Sequence, residues 1–438
     1  MRNPAQPESV ETFRADLPQF REKSAAFFAG EMSKAAYKGF SGYYGSYAQR
    51  DGKASMLRLR MTAGCVTPEK LAFVADMIRK HGIERVHFTT CQTIQLHDLP
   101  QQTVCDVIER ALDAGIVTMG GGGDFPRNVM CSPLSGVEEG EYFDVLPWAQ
   151  AAGDYLTTFI KAEKMPRKLK VGFSNSPANL THATYRDLGF AARADGLFDV
   201  YSAGGLGNNP RFGVKVAEGV SPREILYYIK AMWLTFRAYG NYENRAKART
   251  RYMQESLGGA EAYKAAYLEK LDEVRASGED LLLPELSATV AKTGDGSTAS
   301  GARVLVQKQP GLYAVHYHPI GGQPKAETLC ALADALPQMH ISGCPSSCGT
   351  HQTGELGFRG GVKLVDGKPQ PGFVFFAGGC DRQGEEEMGR ELGAMLEGDI
   401  PAFVVKLGRA VADSGMDYAA WRAANPGALE QIAAEYTA

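Results

Sequence analysis

At 438 residues the chain is longer than one simple hydrophobic core supports, which predicts two or three domains. Hydrophobic residues make up 44% of the sequence and charged residues 22%, as is typical of a soluble globular protein, and no apolar run is long enough to span a membrane. The net charge of -3 disfavours nucleic acid as a partner. Eight cysteines without the spacing of a disulfide framework predict a reducing compartment, the cytoplasm.

The predicted elements begin with a lead-in and end with helices. Residues 1–50, with the stretch "KGFSGYYGSY", are expected to wrap the core. Apolar periodicity and capping residues predict helices in four central segments and in most of residues 384–438. Residues 276–310, with "KTGDGSTASGAR", resemble a linker in composition. The four central segments are 101–114, 143–163, 221–239 and 244–257.

One segment of the chain occurs twice. "KLKVGFSNSPANLTHATYRDLGF" (168–190) aligns without a gap on "LPQMHISGCPSSCGTHQTGELGF" (336–358), at an offset of 168 residues. Each copy predicts a strand, a loop rich in small residues, and further strands. The repeat therefore predicts an internally duplicated chain with pseudo-twofold symmetry.

A second repeated block reveals a shortfall in the second half. "RMTAGCVTPEKLAFVAD" (60–76) resembles "HPIGGQPKAETLCALAD" (318–334), but at an offset of 258 residues. The second half thus lacks roughly ninety residues that separate the two blocks in the first half.

Two cysteines in the second copy suggest a metal site. Cys344 and Cys348 lie on one loop rich in Gly, Pro and Ser. They are compatible with buried structural thiols, or with zinc bound together with His340 or His351. An iron–sulfur cluster is favoured, because cluster ligands commonly lie on loops whose free backbone N–H groups bond the cluster sulfurs.

Four basic residues lie at the ends of strand-like segments. Lys168 and Lys170 are two residues apart on a strand, so both point to the same face. Like charges side by side on a partly buried face are unfavourable unless an anion lies between them, although a solvated strand edge is the alternative. Arg60 and Arg127 occupy similar positions in the first half.

Taken together, these motifs resemble the siroheme-dependent sulfite and nitrite reductases along nearly the whole chain. The segments that carry the resemblance are "RLRMTAG", "TTCQTIQLHDLP", "FPRNVMCSP", "PRKLKVGF", "GGLGNNPRFG", "FRAYGNYENRAKARTRYM" and "HISGCPSSCGTHQTGELGFRGG".

The resemblance implies an α+β fold of mixed and antiparallel sheets with flanking helices, duplicated about a pseudo-twofold axis as in sulfite reductase hemoproteins. It implies siroheme between the halves, coupled to a [4Fe–4S] cluster. After the lead-in the implied domains follow in chain order, with the linker between the two halves. They are a ferredoxin-like half-domain (51–135), a siroheme and substrate domain (136–275), a partial second half-domain (311–339) and a cluster and siroheme domain (340–438).

The resemblance also assigns roles to residues. Cys344 and Cys348 would be cluster ligands, and Cys348 would also bridge to the siroheme iron. Four residues would contact siroheme, namely Thr89, Thr90, Gln95 and His97. The four that would line the face where the substrate oxyanion binds are Arg60, Arg127, Lys168 and Lys170.

The implied reaction is the six-electron reduction of sulfite to sulfide or of nitrite to ammonia. A lysine at position 170 favours sulfite within the family. A ferredoxin or a flavoprotein would donate the electrons, because the chain shows no flavin or nicotinamide domain of its own.

Two departures from the family pattern keep other hypotheses open. Cys91 stands where the family has arginine, and the C-x5-C pair that completes the cluster is missing, which the ninety-residue shortfall explains. The alternatives are a tetrapyrrole enzyme similar to precorrin-3B synthase and a cluster-deficient, non-catalytic paralogue.

Overall fold

The computed structural model describes residues 7–287, 294, 296, 298–301, 304–315, 336–337 and 339–437. The chain forms two compact units. The first comprises Met1–Gly205 and Arg211–Ala291, and the second comprises Leu206–Pro210 and Lys292–Ala438. Both units combine sheets with helices, which confirms the predicted α+β class.

The first unit begins with helices around an antiparallel four-stranded sheet, ordered β1-β2-β4-β3. Leu57, Leu59, Ile94 and Leu96 alternate along two strands and form the buried face of this sheet. The strands are β1 (Ser46–Ala48), β2 (Ser55–Arg60), β3 (Val86–Phe88) and β4 (Thr93–Leu99). The helices are α1 (Val10–Arg14), α2 (Leu17–Phe28), α3 (Lys34–Ser41), α4 (Pro68–His81) and α5 (Gln101–Asp113).

The same unit continues into a mixed five-stranded sheet, whose strands lie side by side in chain order. The first three are parallel and the last two antiparallel to their neighbours. The strands are β5 (Met130–Cys131), β6 (Val171–Ser174), β7 (Leu188–Ala192), β8 (Phe198–Ser202) and β9 (Val214–Val220). The helices are α6 (Leu146–Thr157), α7 (Ile225–Tyr239), α8 (Tyr252–Ser256) and α9 (Ala260–Ala276).

One predicted helix of this unit is shorter than expected. Of residues 244–257, only a 3-10 turn at Arg245–Lys247 and α8 are helical. Between them Arg249 and Thr250 turn inward to bond the buried Asp187 carboxylate, and this tertiary contact overrides the local helical pattern.

The described residues of the second unit form a β-ribbon, a four-stranded sheet and three helices. The ribbon consists of β10 (Val304–Val306) and β11 (Tyr313–Val315), so part of the predicted linker is strand. The C-terminal segment predicted as mainly helical also contains a strand, β15. The sheet strands are β12 (Met339–Ser342), β13 (Leu356–Val365), β14 (Lys368–Ala377) and β15 (Arg390–Leu396). The helices are α10 (Ile400–Ala412), α11 (Tyr418–Ala424) and α12 (Ala428–Thr437).

The first repeated segment has the same backbone in both copies, which confirms the predicted duplication. In each, a short strand pairs in parallel with the next strand, and the register Val171↔Leu188 corresponds to Met339↔Leu356. Each connecting loop bends through two residues with left-handed φ. These are Asn179 and His182 in the first copy and Ser347 and Thr350 in the second.

A glycine at the same point of each copy explains why the motif ends in Leu-Gly-Phe. A Cβ on Gly189 would lie 1.7 Å from the carbonyl oxygen of Ala183, and one on Gly357 would lie 1.9 Å from that of His351. Loop and strand approach too closely for any side chain. The second copy of the other repeated block, 318–334, lies outside the described residues.

Candidate functional site

The side of the first sheet opposite its core carries polar residues. Arg58 pairs with Gln95 and Arg60 with Thr93 across β2 and β4, so their side chains share one face. His97 lies on the same face, and its Nε2 is 3.2 Å from the side-chain amide of Gln95, whose nitrogen donates to it while its oxygen accepts from Arg58. The sheet thus brings together the predicted residues Arg60, Gln95 and His97, and adds Arg58, which sequence reasoning missed.

The predicted threonines lie in the turn between β3 and β4. The Thr89 hydroxyl is 2.7 Å from that of Thr93 and also accepts the backbone N–H of Thr93. Thr90 is exposed. Gln92, with φ of 55°, donates from Nε2 to the Cys131 carbonyl and accepts the Cys131 N–H, which holds the turn against β5.

Arg60 and Arg127 are held by backbone carbonyls. The Arg60 guanidinium donates to the carbonyl oxygens of Pro126 and Arg127. Burial and the charge of Arg127 lower the pKa of Arg60 to about 10, and burial and Arg58 do the same for Arg127. The two cations are therefore fixed in place by uncharged acceptors, which leaves their charge available to an anion.

The glycine-rich stretch 120–123 supplies some of these acceptors. Arg127 donates to the carbonyl oxygens of Gly121 and Gly123, at 2.6 and 2.8 Å. Added Cβ atoms on Gly121 and Gly122 would lie within 2.7 Å of backbone oxygens of Thr118 and Gly42. Close packing explains these two glycines.

Lys168 and Lys170 lie beside Arg127. Leu169 between them is fully buried and pairs in parallel with Pro126, and its carbonyl accepts the Arg127 N–H at 2.8 Å. The side chains flanking a buried residue on an extended segment point the opposite way, so both lysines face away from the core together.

Lys168 has an unusual electrostatic environment. Burial, followed by the charges of Arg249, Lys170, Arg127 and Arg167, lowers its pKa to about 7. Within the described part of the chain its ammonium group forms no hydrogen bond or ion pair. A bound anion would offset this repulsion, as expected of an anion site.

The buried carboxylate of Asp187 positions the cationic residues. It accepts hydrogen bonds from the Lys170 backbone N–H at 2.8 Å, from Arg249 at 3.0 Å and from the Thr250 hydroxyl. Burial alone would raise the pKa of this carboxyl, but Arg249 and Thr250 outweigh burial and lower it. The match of Asp187 with Glu355 in the repeat was the only sequence signal for this residue.

In the second unit, Cys344 and Cys348 are exposed on the loop between β12 and β13. Ser342 Oγ accepts the Gly349 N–H, His340 Nδ1 is 2.9 Å from Thr350 Oγ1, and Ser347 Oγ is 3.3 Å from His351 Nδ1. Burial, with Arg359 and His340, lowers the pKa of His351 to about 4. These contacts fix the loop and leave both thiols at its surface.

The residues present fit the two implied cofactors unequally. The cationic cluster of the first unit suits a carboxylate-rich tetrapyrrole and a small oxyanion. In the described ranges, however, no group of three or more His, Cys, Asp or Glu side chains could hold a metal ion. Cys344 and Cys348 supply two cluster ligands, and Cys330, the nearest cysteine upstream, lies outside the described residues.

Fold and site together define a duplicated α+β protein whose first unit gathers Arg60, Arg127, Lys168 and Lys170 into one cluster of cations. Residues 47–114 match the nitrite/sulfite reductase ferredoxin-like half domain, and residues 122–274 match the nitrite and sulphite reductase 4Fe-4S domain. The chain belongs to the nitrite and sulphite reductase family. The predicted family is thus confirmed, and with it the cofactors of that family, siroheme and a [4Fe–4S] cluster.

Individual relatives are consistent with this family. The sulfite reductase [NADPH] hemoprotein beta-component of Thiocapsa roseopersicina is 30% identical over 46% of this chain and 42% of its own length. The ferredoxin–nitrite reductase of Leptolyngbya laminosa is 22% identical over 80% of this chain and 84% of its own. The chain spans less than half the length of the first curated relatives it matches.

A solved structure supports the fold. The Mycobacterium tuberculosis NirA protein superposes with a TM-score of 0.70 over 98% of this chain and 100% of its own, at 19% identity. In the described part of this chain, no helix has the length and apolar character needed to cross a bilayer.

Proposed function

We propose that the protein reduces sulfite or nitrite by six electrons at siroheme coupled to a [4Fe–4S] cluster, with electrons from a ferredoxin or a flavoprotein. The observation that carries this proposal is Lys168, a half-buried lysine surrounded by other cations. Such an arrangement is stable in the presence of a bound anion and costly without one.

In this proposal each cationic residue has its own role in binding or protonating the substrate. Lys168 and Lys170 bind the substrate oxyanion, and Lys168, with its pKa near neutrality, donates a proton as substrate oxygen leaves as water. Arg127 contributes charge from a fixed position. Arg60 holds the Pro126–Arg127 segment while adding its own charge to the pocket.

The face of the first sheet would receive the tetrapyrrole. Gln95 and His97 offer hydrogen-bonding groups beside Arg58, and Thr89 fixes the adjoining turn. Siroheme supplies the iron at which the anion is reduced, and the cluster supplies electrons singly. Cys344 and Cys348 would contribute thiolates to the cluster.

Two alternatives remain testable beside this proposal. The missing third and fourth ligands among the described residues favour a cluster-deficient paralogue that binds tetrapyrrole without turnover. An enzyme similar to precorrin-3B synthase would act on a tetrapyrrole itself, which leaves the cations around Lys168 without a small anion to bind.

The test is to purify the chain from cells that make siroheme and to measure cofactor content and turnover with reduced methyl viologen. About five irons and four acid-labile sulfides per chain, with siroheme absorbance and consumption of sulfite or nitrite, would support the reductase. Siroheme without sulfide would identify the cluster-deficient paralogue. Absence of siroheme would overturn the proposal.

Variants connect the activity to the pocket. Lys168→Gln should lower kcat/KM by about 10²-fold, because it removes a cation and a proton donor from the same site. Lys38→Gln, a change on an exposed face of α3, is the matched control and should leave kcat/KM unchanged.

A further inference from the structure

Asp124 is a carboxylate bound between two arginines of the first unit. Its Oδ1 accepts a hydrogen bond from Arg167 Nη1 at 2.8 Å, and its Oδ2 accepts one from Arg245 Nη1 at 2.7 Å. Arg245 also donates from Nη2 to Oδ1 at 3.2 Å, so its guanidinium binds both oxygens. The side chains of Asp124 and Arg167 are 20% and 23% exposed, so solvent weakens their ion pair less than one at the open surface.

These three residues, the Asp124 bridge, connect the three segments that carry the cations around Lys168. Asp124 lies on the first segment, Arg167 on the second and Arg245 on the third. In each segment the bridging residue stands one to four positions before a cation that acts on Lys168 or before Lys168 itself. The segments are 120–127 with Arg127, 167–170 with Lys168 and Lys170, and 245–250 with Arg249.

Asp187 connects the second and third of these segments a second time. Its carboxylate accepts the Lys170 backbone N–H at 2.8 Å and the Arg249 guanidinium at 3.0 Å. Lys168 thus lies between two anchored positions, because the residue before it binds Asp124 and Lys170 binds Asp187. Two carboxylates together fix the backbone that carries Lys168.

The backbone around Asp124 has anchors of its own. The Gly123 N–H donates to the Tyr47 hydroxyl at 2.6 Å, and the Arg127 N–H donates to the Leu169 carbonyl at 2.8 Å. Neither bond involves the Asp124 side chain. A variant without the carboxylate should therefore fold, and it loses the connection between the segments together with the counter-charge of two arginines.

We propose that Asp124 is a positioning residue of the anion site. Through Arg167 it sets the position of Lys168 relative to Arg127, and through Arg245 it fixes the third segment. It also offsets the charge of Arg167, which would otherwise repel Lys168 more strongly. The proposal rests on the proposed function in taking sulfite or nitrite as the anion, whereas the effect of Asp124 on Lys168 does not depend on it.

The sign of the effect on anion affinity distinguishes positioning from charge alone. Asp124 is itself an anion beside the cation cluster, so by Coulomb's law alone its removal should tighten the binding of nitrite. If Asp124 positions the cations, its removal should weaken the binding of nitrite, because a displacement of about 1 Å can cost up to about 10²-fold. The two explanations predict opposite changes.

The test compares the calorimetric affinity for nitrite of wild type and Asp124→Asn, as full chains with equal siroheme content. At pH 6 Lys168 is mostly protonated in both proteins, so its charge does not cause a difference. We expect Asp124→Asn to bind nitrite about 10-fold more weakly. An affinity equal to or above that of wild type would overturn the proposal.

The matched control for this substitution is Asp195→Asn. Asp195 binds Arg193 through both carboxylate oxygens, also in the first unit, and its side chain is 45% exposed. The control therefore removes an aspartate with bidentate arginine contacts away from the cation cluster. It should leave the affinity for nitrite unchanged.

A double-mutant cycle with Arg245 shows whether the Asp124 bridge causes the effect. The Arg245 side chain is 64% exposed, so Arg245→Gln should fold normally. We expect this substitution to weaken nitrite binding about threefold in the wild-type background, as for a partly exposed ion pair, and to have no further effect in Asp124→Asn. No loss in the wild-type background, or equal losses in both backgrounds, would refute the role of the bridge.

The titration of Lys168 is a second readout, which needs no bound anion. The charged groups that act on Lys168 are four cations, namely Arg249, Lys170, Arg127 and Arg167. Without the Asp124 carboxylate the charge of Arg167 is no longer offset. The pKa of Lys168, about 7 in the wild-type protein, should therefore fall by roughly half a pH unit in Asp124→Asn and stay unchanged in Asp195→Asn. Competitive acetylation over a pH series, measured by peptide mass spectrometry, follows this titration.

The results separate this proposal from the proposed function. If wild type binds no nitrite, the proposed function fails, and the titration of Lys168 alone decides the role of Asp124. A titration that moves in Asp124→Asn but not in Asp195→Asn would support that role, and one that stays in place would overturn it. If wild type binds nitrite and Asp124→Asn binds it as tightly, the proposed function stands and the positioning role is refuted.

Discussion

Asp187→Asn tests whether the buried carboxylate organises the cationic pocket. Four hydrogen bonds converge on this group, from the Lys170 N–H, from Arg249 to both oxygens and from the Thr250 hydroxyl. An asparagine of the same shape has one oxygen and one NH₂ group, so at least one donor faces another donor. Arg249 also loses its counter-charge in a partly buried position.

The expected cost follows from these contacts. Leaving one partner of a buried ion pair uncompensated typically costs about 3–5 kcal/mol, and even one orphaned donor costs about 1–3 kcal/mol. We therefore expect Asp187→Asn to lower the free energy of unfolding of the first unit by about 3–5 kcal/mol. With a urea m-value of roughly 3 kcal/mol per molar, the midpoint falls by about 1 M or more.

The assay is urea unfolding followed by tryptophan fluorescence. Trp148 and Trp233 are buried in the first unit and report its unfolding, while Trp421 belongs to the second. The control is Asp98→Asn, which removes an exposed carboxylate paired with Arg85 at the surface and should shift the midpoint little. A midpoint for Asp187→Asn no lower than that of Asp98→Asn would refute the reasoning.

The pH dependence of the stability difference between wild type and Asp187→Asn is a second check. The pKa of Asp187 is lowered in the folded protein, so its stabilising contribution is present above the unfolded value of about 3.9 and is lost as pH falls through the lower folded value. The difference in free energy of unfolding between wild type and Asp187→Asn should be constant from pH 5 to 8. It should narrow only below about pH 4, and narrowing near neutrality would show that another group causes the difference.

Three further predictions follow from single contacts. The affinity for nitrite, measured by calorimetry, should fall as pH rises through about 7, because Lys168 loses its proton there while nitrite keeps its charge. Lys168→Gln should make the affinity nearly independent of pH in this range. Gly357→Ala forces a Cβ to within 1.9 Å of the His351 carbonyl and should lower the thermal midpoint of the second unit, whereas Gly361→Ala, with nothing nearer than 4.0 Å, should not. Arg58→Gln should reduce siroheme content, measured by absorbance, more than Arg79→Gln, which alters an exposed pair on α4.

Much of the fold could be predicted because the spacing of residues along the sequence determines it. The constant offset of 168 residues predicts that two loops share one backbone, and the left-handed residues at matched positions confirm it. The period of two along a strand likewise predicts that Lys168 and Lys170 face the same side. Both features are patterns of residue spacing, which can be read from a single sequence without knowing which distant residues touch.

The missed features are long-range contacts. Nothing near Asp187 in the sequence indicates that Arg249 and Thr250, more than sixty residues later, will bond its carboxylate. Arg58 was missed because an arginine on a strand edge is usually solvated, and only the pairing of β2 with β4 places it beside Gln95. Tertiary pairing decides both positions, so no local pattern predicts them.

The duplicated segment shows how one backbone supports two kinds of chemistry. At the end of the first loop the acid is Asp187, whose pKa is lowered by Arg249 and Thr250 against the effect of burial. At the matching point of the second loop the acid is Glu355, whose pKa burial raises. The first copy therefore holds an anion that orders surrounding cations, while in the second copy burial outweighs the charge of Arg422, and the loop presents two thiols. Because the repeat fixes only the backbone, charge and nucleophile could diverge between the copies without disturbing the fold.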